Sequence, residues 1–142
     1  MKRPTRSTLI ALTLAAAAGA AMAHHSAVQF DFTKQVSYKG KVTHFRAINP
    51  HMQLKVEVTD SKGTRVIEFE GHSTNNMYRN GYRKGMINEG DIITVYAAPL
   101  KSGEDGGYVV SADAADGTHF GMRSQRLSAE DAAKLRQAAE GR

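Results

Sequence analysis

Six histidines fall within this 142-residue sequence, all of them after residue 23, and two groups of them are placed to do chemistry. The first is His24-His25, directly after Ala21-Met22-Ala23. A chain cut after Ala23 begins with a free α-amino group on His24. That amine and His24 Nδ1 close a chelate ring on one metal ion, and a further imidazole completes three nitrogens in a T. Imidazole and amine nitrogens favour Cu(II), both by ligand type and by the order of divalent affinities. His25 offers a rival mode through its own amide nitrogen and imidazole. The bland reading of the same pair is a solvated terminus with two spare rings.

The second group is His51, which follows Asn49-Pro50. Proline restricts a loop, and a restricted loop fixes the direction of an imidazole. The alternative is a turn histidine bonded to nearby backbone. His44 and His72 lie on or beside strands and read first as surface residues able to assist, while His119 sits in a Gly-rich tail and receives no role. Signals for an enzyme are poor. There is no Cys, no Gly-x-Ser-x-Gly elbow, no His-Glu-x-x-His and no phosphate loop. Glu68 and Glu70 share a strand face without an acid–base context.

The chain that must carry these residues opens with a leader. Lys2, Arg3 and Arg6 precede an uncharged Ala- and Leu-rich run from Leu9 to Ala20, and Ala21-Met22-Ala23 supplies small residues at −3 and −1. This is the pattern of a cleavable signal peptide over residues 1–23, and the apolar run is too short for a span of about 20 residues. No cysteine is present for lipid modification and no twin-arginine pair precedes the run, so the general export route is expected. Lys2, Arg3 and Arg6 account for three of the 19 basic residues; 16 then stand against 14 acidic ones, a net charge of +2. The basic character thus belongs largely to the leader and says little about nucleic acid.

Tyr78, Arg79, Tyr82, Arg83 and Lys84 interleave aromatic and basic side chains, as single-strand-binding barrels do. Export and the low net charge argue against that use. The cluster reads as a helix and loop plugging one end of a barrel, tyrosines packed and cations solvated. An anionic glycan or lipid headgroup is the alternative ligand.

Val36–Ala47 is strand-like, with Gly40 marking a bend or bulge. Met52, Leu54, Val56 and Val58 alternate with Gln53, Lys55, Glu57 and Thr59, a period of two with one buried face. Asp60-Ser61-Lys62-Gly63 turns this strand into Thr64–Glu70, predicting a hairpin. Ser73 or Thr74 caps a short helix to about Asn80, with Gly81 as its left-handed stop. Ile92–Ala97 and Tyr108–Ala114 are the fourth and fifth strands, separated by Pro99 and a polar loop over 101–107. Ser128-Ala129-Glu130-Asp131 opens a C-terminal helix to about Ala139, with Leu135 its one large apolar residue. The expected core is Val42, Leu54, Val56, Val58, Ile67, Phe69, Ile92, Val95 and Val110. Three strands, a short helix and two strands predict a mostly β chain, a small five-stranded OB-like barrel plus a C-terminal helix. The expected division is 1–23 leader, 24–119 barrel and 120–142 helical tail.

Several landmarks together resemble a family of small exported bacterial proteins known only as a domain of unknown function. They are His24-His25-Ser26, Phe30-Asp31, Gly40-Lys41-Val42, Phe45-Arg46-Ala47-Ile48-Asn49-Pro50-His51, Arg79-Asn80-Gly81-Tyr82, Glu89-Gly90-Asp91 and Pro99. Members of that family often carry Trp where Ala47 and Tyr82 stand here. The resemblance implies export and supplies no activity. Separately, an amine and ring of an N-terminal histidine with a second imidazole resembles the histidine brace of copper oxygenases and some periplasmic copper carriers.

The leading expectation is an exported protein, periplasmic or secreted, that binds Cu(II) through His24, His25 and His51 and acts as carrier, buffer or sensor. For this, His24 must fold back to the Asn49-Pro50-His51 corner, with residues 27–35 providing length and Phe30 and Phe32 pinning the segment. A metal ion and a periplasmic protein are the expected partners; nucleic acid and a membrane span after cleavage are not. The alternative, from a different class, is a binding or scaffolding module that recognises a partner protein or glycan through the barrel face. A copper-dependent redox enzyme stands third.

Overall fold

Alternation dictates the first hairpin. In the computed structural model, which describes residues 27–121 and 129–140, strand β2 (Gln53–Asp60) buries Leu54, Val56 and Val58. Strand β3 (Gly63–Glu70) pairs antiparallel with β2 along its whole length and buries Ile67 and Phe69. The opposite face stays in solvent, where Lys55 pairs with Glu68 across the hairpin. The Asp60 carboxylate accepts from the Lys62 amide in the connecting turn at 2.8 Å.

Strand β1 (Val36–Arg46) serves two neighbours. Its second half pairs with β2 and its first half with β4 (Ile92–Pro99), both antiparallel. Gly40 marks where the two neighbours share it, opposite Val58 of β2 and Ile93 of β4. A Cβ there would stand 2.2 Å from the Glu57 carbonyl oxygen, so only glycine lets β1 and β2 approach this closely. The irregularity that bends the strand falls slightly later, between Val42 and His44. Strand β5 (Gly107–Ala114) pairs antiparallel with β4 and meets β3 in parallel at Phe69–Gly107 and Glu70–Tyr108. That last pairing closes the ring β1-β2-β3-β5-β4, with helix α1 (Thr74–Arg79) inserted between β3 and β4. The architecture is a small OB-like barrel.

Two details differ from expectation. A short sixth strand, β6 (His119–Gly121), adds to β5. And β4 has the opposite parity at its start: Ile93, Val95 and Ala97 point inward, while Ile92 is 43% exposed. The cause is pairing. Lys41 opposite Ile92 and Gly40 opposite Ile93 put Ile93 on the same face as Val42 and Val95. The remaining eight expected core residues are buried.

The Ser73 hydroxyl caps α1 by accepting from the Asn76 amide at 3.4 Å, and Gly81 follows at φ +95°. Met77, Tyr82 and Ile87 then plug one end of the barrel. A second cluster forms outside β5. Tyr108 and Val110 there receive Ala27, Phe30 and Phe32 from the N-terminal segment and Leu135 and Ala139 from helix α2 (Ala129–Ala139). β5 is therefore covered on both faces. The expected cap at Ser128 lies outside the described residues. Among the described residues no helix is long and apolar enough to cross a membrane.

Candidate functional site

The N-terminal ends of β2 and of the β3–α1 loop lie side by side. The Met52 amide donates to the His72 carbonyl at 3.1 Å, and the Gly71 amide donates to the Met52 carbonyl at 3.2 Å. Asn49, whose bond to Pro50 is cis, uses its side-chain oxygen to accept from the Thr74 amide at 3.1 Å. The Asn49-Pro50-His51 corner is thus tied to the start of α1.

These ties carry two imidazoles to one place. His51 Nδ1 lies 3.1 Å from the Gly71 carbonyl oxygen. A carbonyl only accepts, so Nδ1 carries a proton, and in the neutral ring Nε2 holds the lone pair. His72 Nδ1 lies 3.3 Å from the Tyr108 hydroxyl. Both rings stand edge-on to the Tyr108 ring, with centroids at 6.3 Å for His51 and 5.3 Å for His72. Burial, with a smaller contribution from the charge of His51, pushes His72 down to about 4. Its ring is therefore neutral, with a lone pair to give, throughout the physiological range. Burial, then the charge of Glu70, raises the Tyr108 phenol and keeps it protonated. A cleft of about 390 Å³ opens beside this pair, lined by His72, Asn76, Asn80, Lys134, Leu135 and Ala138.

The N-terminal segment arrives at the same place. Phe30 and Phe32 are 2% and 1% exposed, and their rings lie 5.6 and 5.5 Å from that of Tyr108, so both pin the segment as expected. The Asp31 amide donates to the Pro99 carbonyl, the Lys101 amide donates to the Gln29 carbonyl, and the Gln29 side chain donates to Glu70. Ala27, buried in the cluster that contains Tyr108, is the first described residue. His24 and His25 lie outside the described residues, three and two positions before it. Among the described residues no group of three His, Cys, Asp or Glu side chains is poised to hold a metal ion. His51 and His72 supply two nitrogens.

Other residues singled out from the sequence lie elsewhere. His44 faces Glu89 at 3.5 Å, and His119 bonds to Asp113 on the next strand. Tyr82 packs against Phe45 and Phe120 at 5.7 and 6.0 Å, whereas Tyr78 is 41% exposed. Arg83 donates to the Tyr78 and Tyr82 carbonyls. Arg79 and Lys84 are solvated, so the basic-aromatic cluster is chiefly a plug. Sequence reasoning ranked His72 as a surface residue and passed over Tyr108. His72 is largely covered instead, because Tyr108 reaches it from a strand 36 residues away. No local spacing announces that contact.

Comparison with known proteins adds one family and several remote structures. A family described as one of unknown function, DUF6152, matches residues 11–110. No curated protein matches the chain. The crystal structure of TiaS in complex with an isoleucine tRNA and ATP superposes with a TM-score of 0.41 at 18% identity, over 57% of this chain and 18% of that one. A ZRD-deleted mutant of TiaS in complex with agmatine gives 0.41 at 18% identity, over 66% and 23%. The chain thus spans less than a quarter of the TiaS chains it matches. The mitochondrial single-stranded DNA-binding protein Rim1 of S. cerevisiae gives 0.45 at 9% identity, over 58% and 94%.

Proposed function

The chain belongs to this family of unknown function, and we propose that it is an exported metal-binding protein of the periplasm, holding Cu(II) as a carrier, buffer or sensor. In this reading signal-peptide cleavage after Ala23 frees the His24 amine. The amine and ring of His24 then bind with Nε2 of His51, and His25 is an auxiliary ligand.

The observation that carries the reading is the state of His51. Its Nδ1 proton is committed to the Gly71 carbonyl, which leaves Nε2 as the ligating nitrogen. An outer partner that fixes tautomer and ring direction in this way is the usual companion of a metal-bound histidine. Reach supports the same conclusion. Ala27 is buried in the cluster that holds Tyr108, whose ring centroid lies 6.3 Å from that of His51. Three residues of extended chain span at most about 10 Å, which is the reach this reading gives the His24 amine. The donors are all nitrogen, which favours copper among divalent ions.

The test uses protein recovered from the periplasm. Intact mass shows loss of residues 1–23. Cu(II) titration then compares this protein with its N-terminally acetylated form and with His51→Ala. Each change weakens binding at least tenfold, about 1.4 kcal/mol, and alters the paramagnetic spectrum. Equal, weak binding by all three replaces this reading with the binding-module alternative.

A further inference from the structure

The geometry points to a second ligand within the folded domain: His72 joins His51 as a bis-imidazole pair that binds a borderline divalent cation without help from the N-terminus. The pair shares His51 with the reading above, and its test separates the two.

Three observations place the rings in one site. The backbone bonds between residues 52 and 71–72 bring the two histidines alongside each other. Both rings lean on one phenol, Tyr108, at nearly perpendicular angles of 77° and 88°. And His72 faces the cleft between α1 and α2, which gives an ion a way in. The chemistry is consistent for both rings. His51 spends Nδ1–H on a carbonyl. In the ligating form His72 donates Nδ1–H to the phenol oxygen of Tyr108, 3.3 Å away, and its Nε2 is then the free donor. Two outer-shell bonds of the same kind fix the tautomer that leaves each Nε2 as the donor. Neutral nitrogen donors without carboxylate or thiolate select copper or zinc over calcium or magnesium. Tyr108 acts here as a positioning residue.

The experiment removes both N-terminal imidazoles, blocks the terminal amine by acetylation, and so reads the pair alone. Mature protein carrying His24→Asn and His25→Asn, acetylated at its N-terminus, is titrated with Cu(II), and bound copper is examined for nitrogen hyperfine structure. The expected result is one equivalent bound with two imidazole nitrogens. Adding His72→Asn weakens binding at least tenfold and leaves one nitrogen, whereas adding His44→Asn changes neither. Adding Tyr108→Phe keeps the protein folded and alters the hyperfine pattern without removing a nitrogen. Thermal melts confirm that each variant is folded, and His72→Gln replaces His72→Asn if the latter is not. No copper bound by the His24/His25 variant, or binding indifferent to His72, overturns the pair. Neither outcome touches the His24 amine, which is read from acetylation.

Discussion

Acid should loosen this protein through His72 before it does so through any carboxylate. An unfolded imidazole takes up its proton near pH 6.5, whereas burial holds the folded His72 ring neutral down to about 4. Between those values the unfolded state binds more protons, so falling pH favours unfolding. The full stability is present above pH 6.5 and drains away towards pH 4. At 1.36 kcal/mol per pH unit the loss over that window is about 3 kcal/mol. Urea titrations of metal-free protein in chelator, at steps from pH 7.5 to 4.5, measure it directly. At an m-value of about 2 kcal/mol/M the wild-type midpoint falls by roughly 1 M between pH 6.5 and 5. His72→Gln, which cannot charge, should give a nearly flat curve over the same range. Asp31 and Asp60, each held at about 2 by hydrogen bonds, lose their contributions mainly below about pH 4, under most of this window. Parallel curves for wild type and His72→Gln would refute the argument that burial holds this ring neutral.

Three other outcomes follow from packing. Gly40→Ala drives a Cβ to within 2.2 Å of the Glu57 carbonyl and should cost about 1–3 kcal/mol; a melting temperature equal to wild type would mean that β1 and β2 are farther apart than described. Leu54→Ala, at a fully buried position, should cost about 2–5 kcal/mol by urea denaturation, while Gln53→Ala on the exposed face stays within about 0.5 kcal/mol. Phe32→Ala should destabilise by about 3–5 kcal/mol and speed amide exchange at Asp31 and Lys101, which fasten the segment to Pro99 and Gln29; slow exchange retained in the variant would show that the segment is held without the ring.

The barrel was legible where the pattern is local. Leu54, Val56 and Val58 alternate without interruption, and Asp60 to Gly63 is a turn by composition, so the hairpin and its register could be read directly. Gly40 reads as a bend or bulge, whereas the bulge falls near Thr43 and Gly40 instead permits the close approach of β1 to β2. Two adjacent isoleucines defeat the same logic at β4. Either parity buries one of them, and the choice is made by pairing with Lys41 and Gly40 across the sheet. β6 is three residues long with a glycine, too short for any period to show. Of the candidate site, His51 was visible because proline marks its corner, and Phe30 and Phe32 because two aromatic rings so near the N-terminus call for a surface to cover. His72 and Tyr108 were not. Their relation exists only once β3 and β5 lie parallel, a contact that no spacing in the chain encodes.

The shared strand β5 has a consequence for the order of assembly. Ala27, Phe30 and Phe32 leave the ribosome early, yet their seat is built from Tyr108 and Val110, with Leu135 and Ala139 closing over it. Until nearly the whole chain exists, the opening segment has nothing to hold. The His51–His72 corner is held by bonds that continue the β2–β3 hairpin, whereas the N-terminal segment docks only on β5 and α2. A chain shortened before α2 would keep its five-stranded ring while losing part of the cover over Phe30 and Phe32. The barrel ring and the seat of the N-terminal segment are therefore separable, and damage to the last helix would be felt at Ala27, Phe30 and Phe32, far away along the chain.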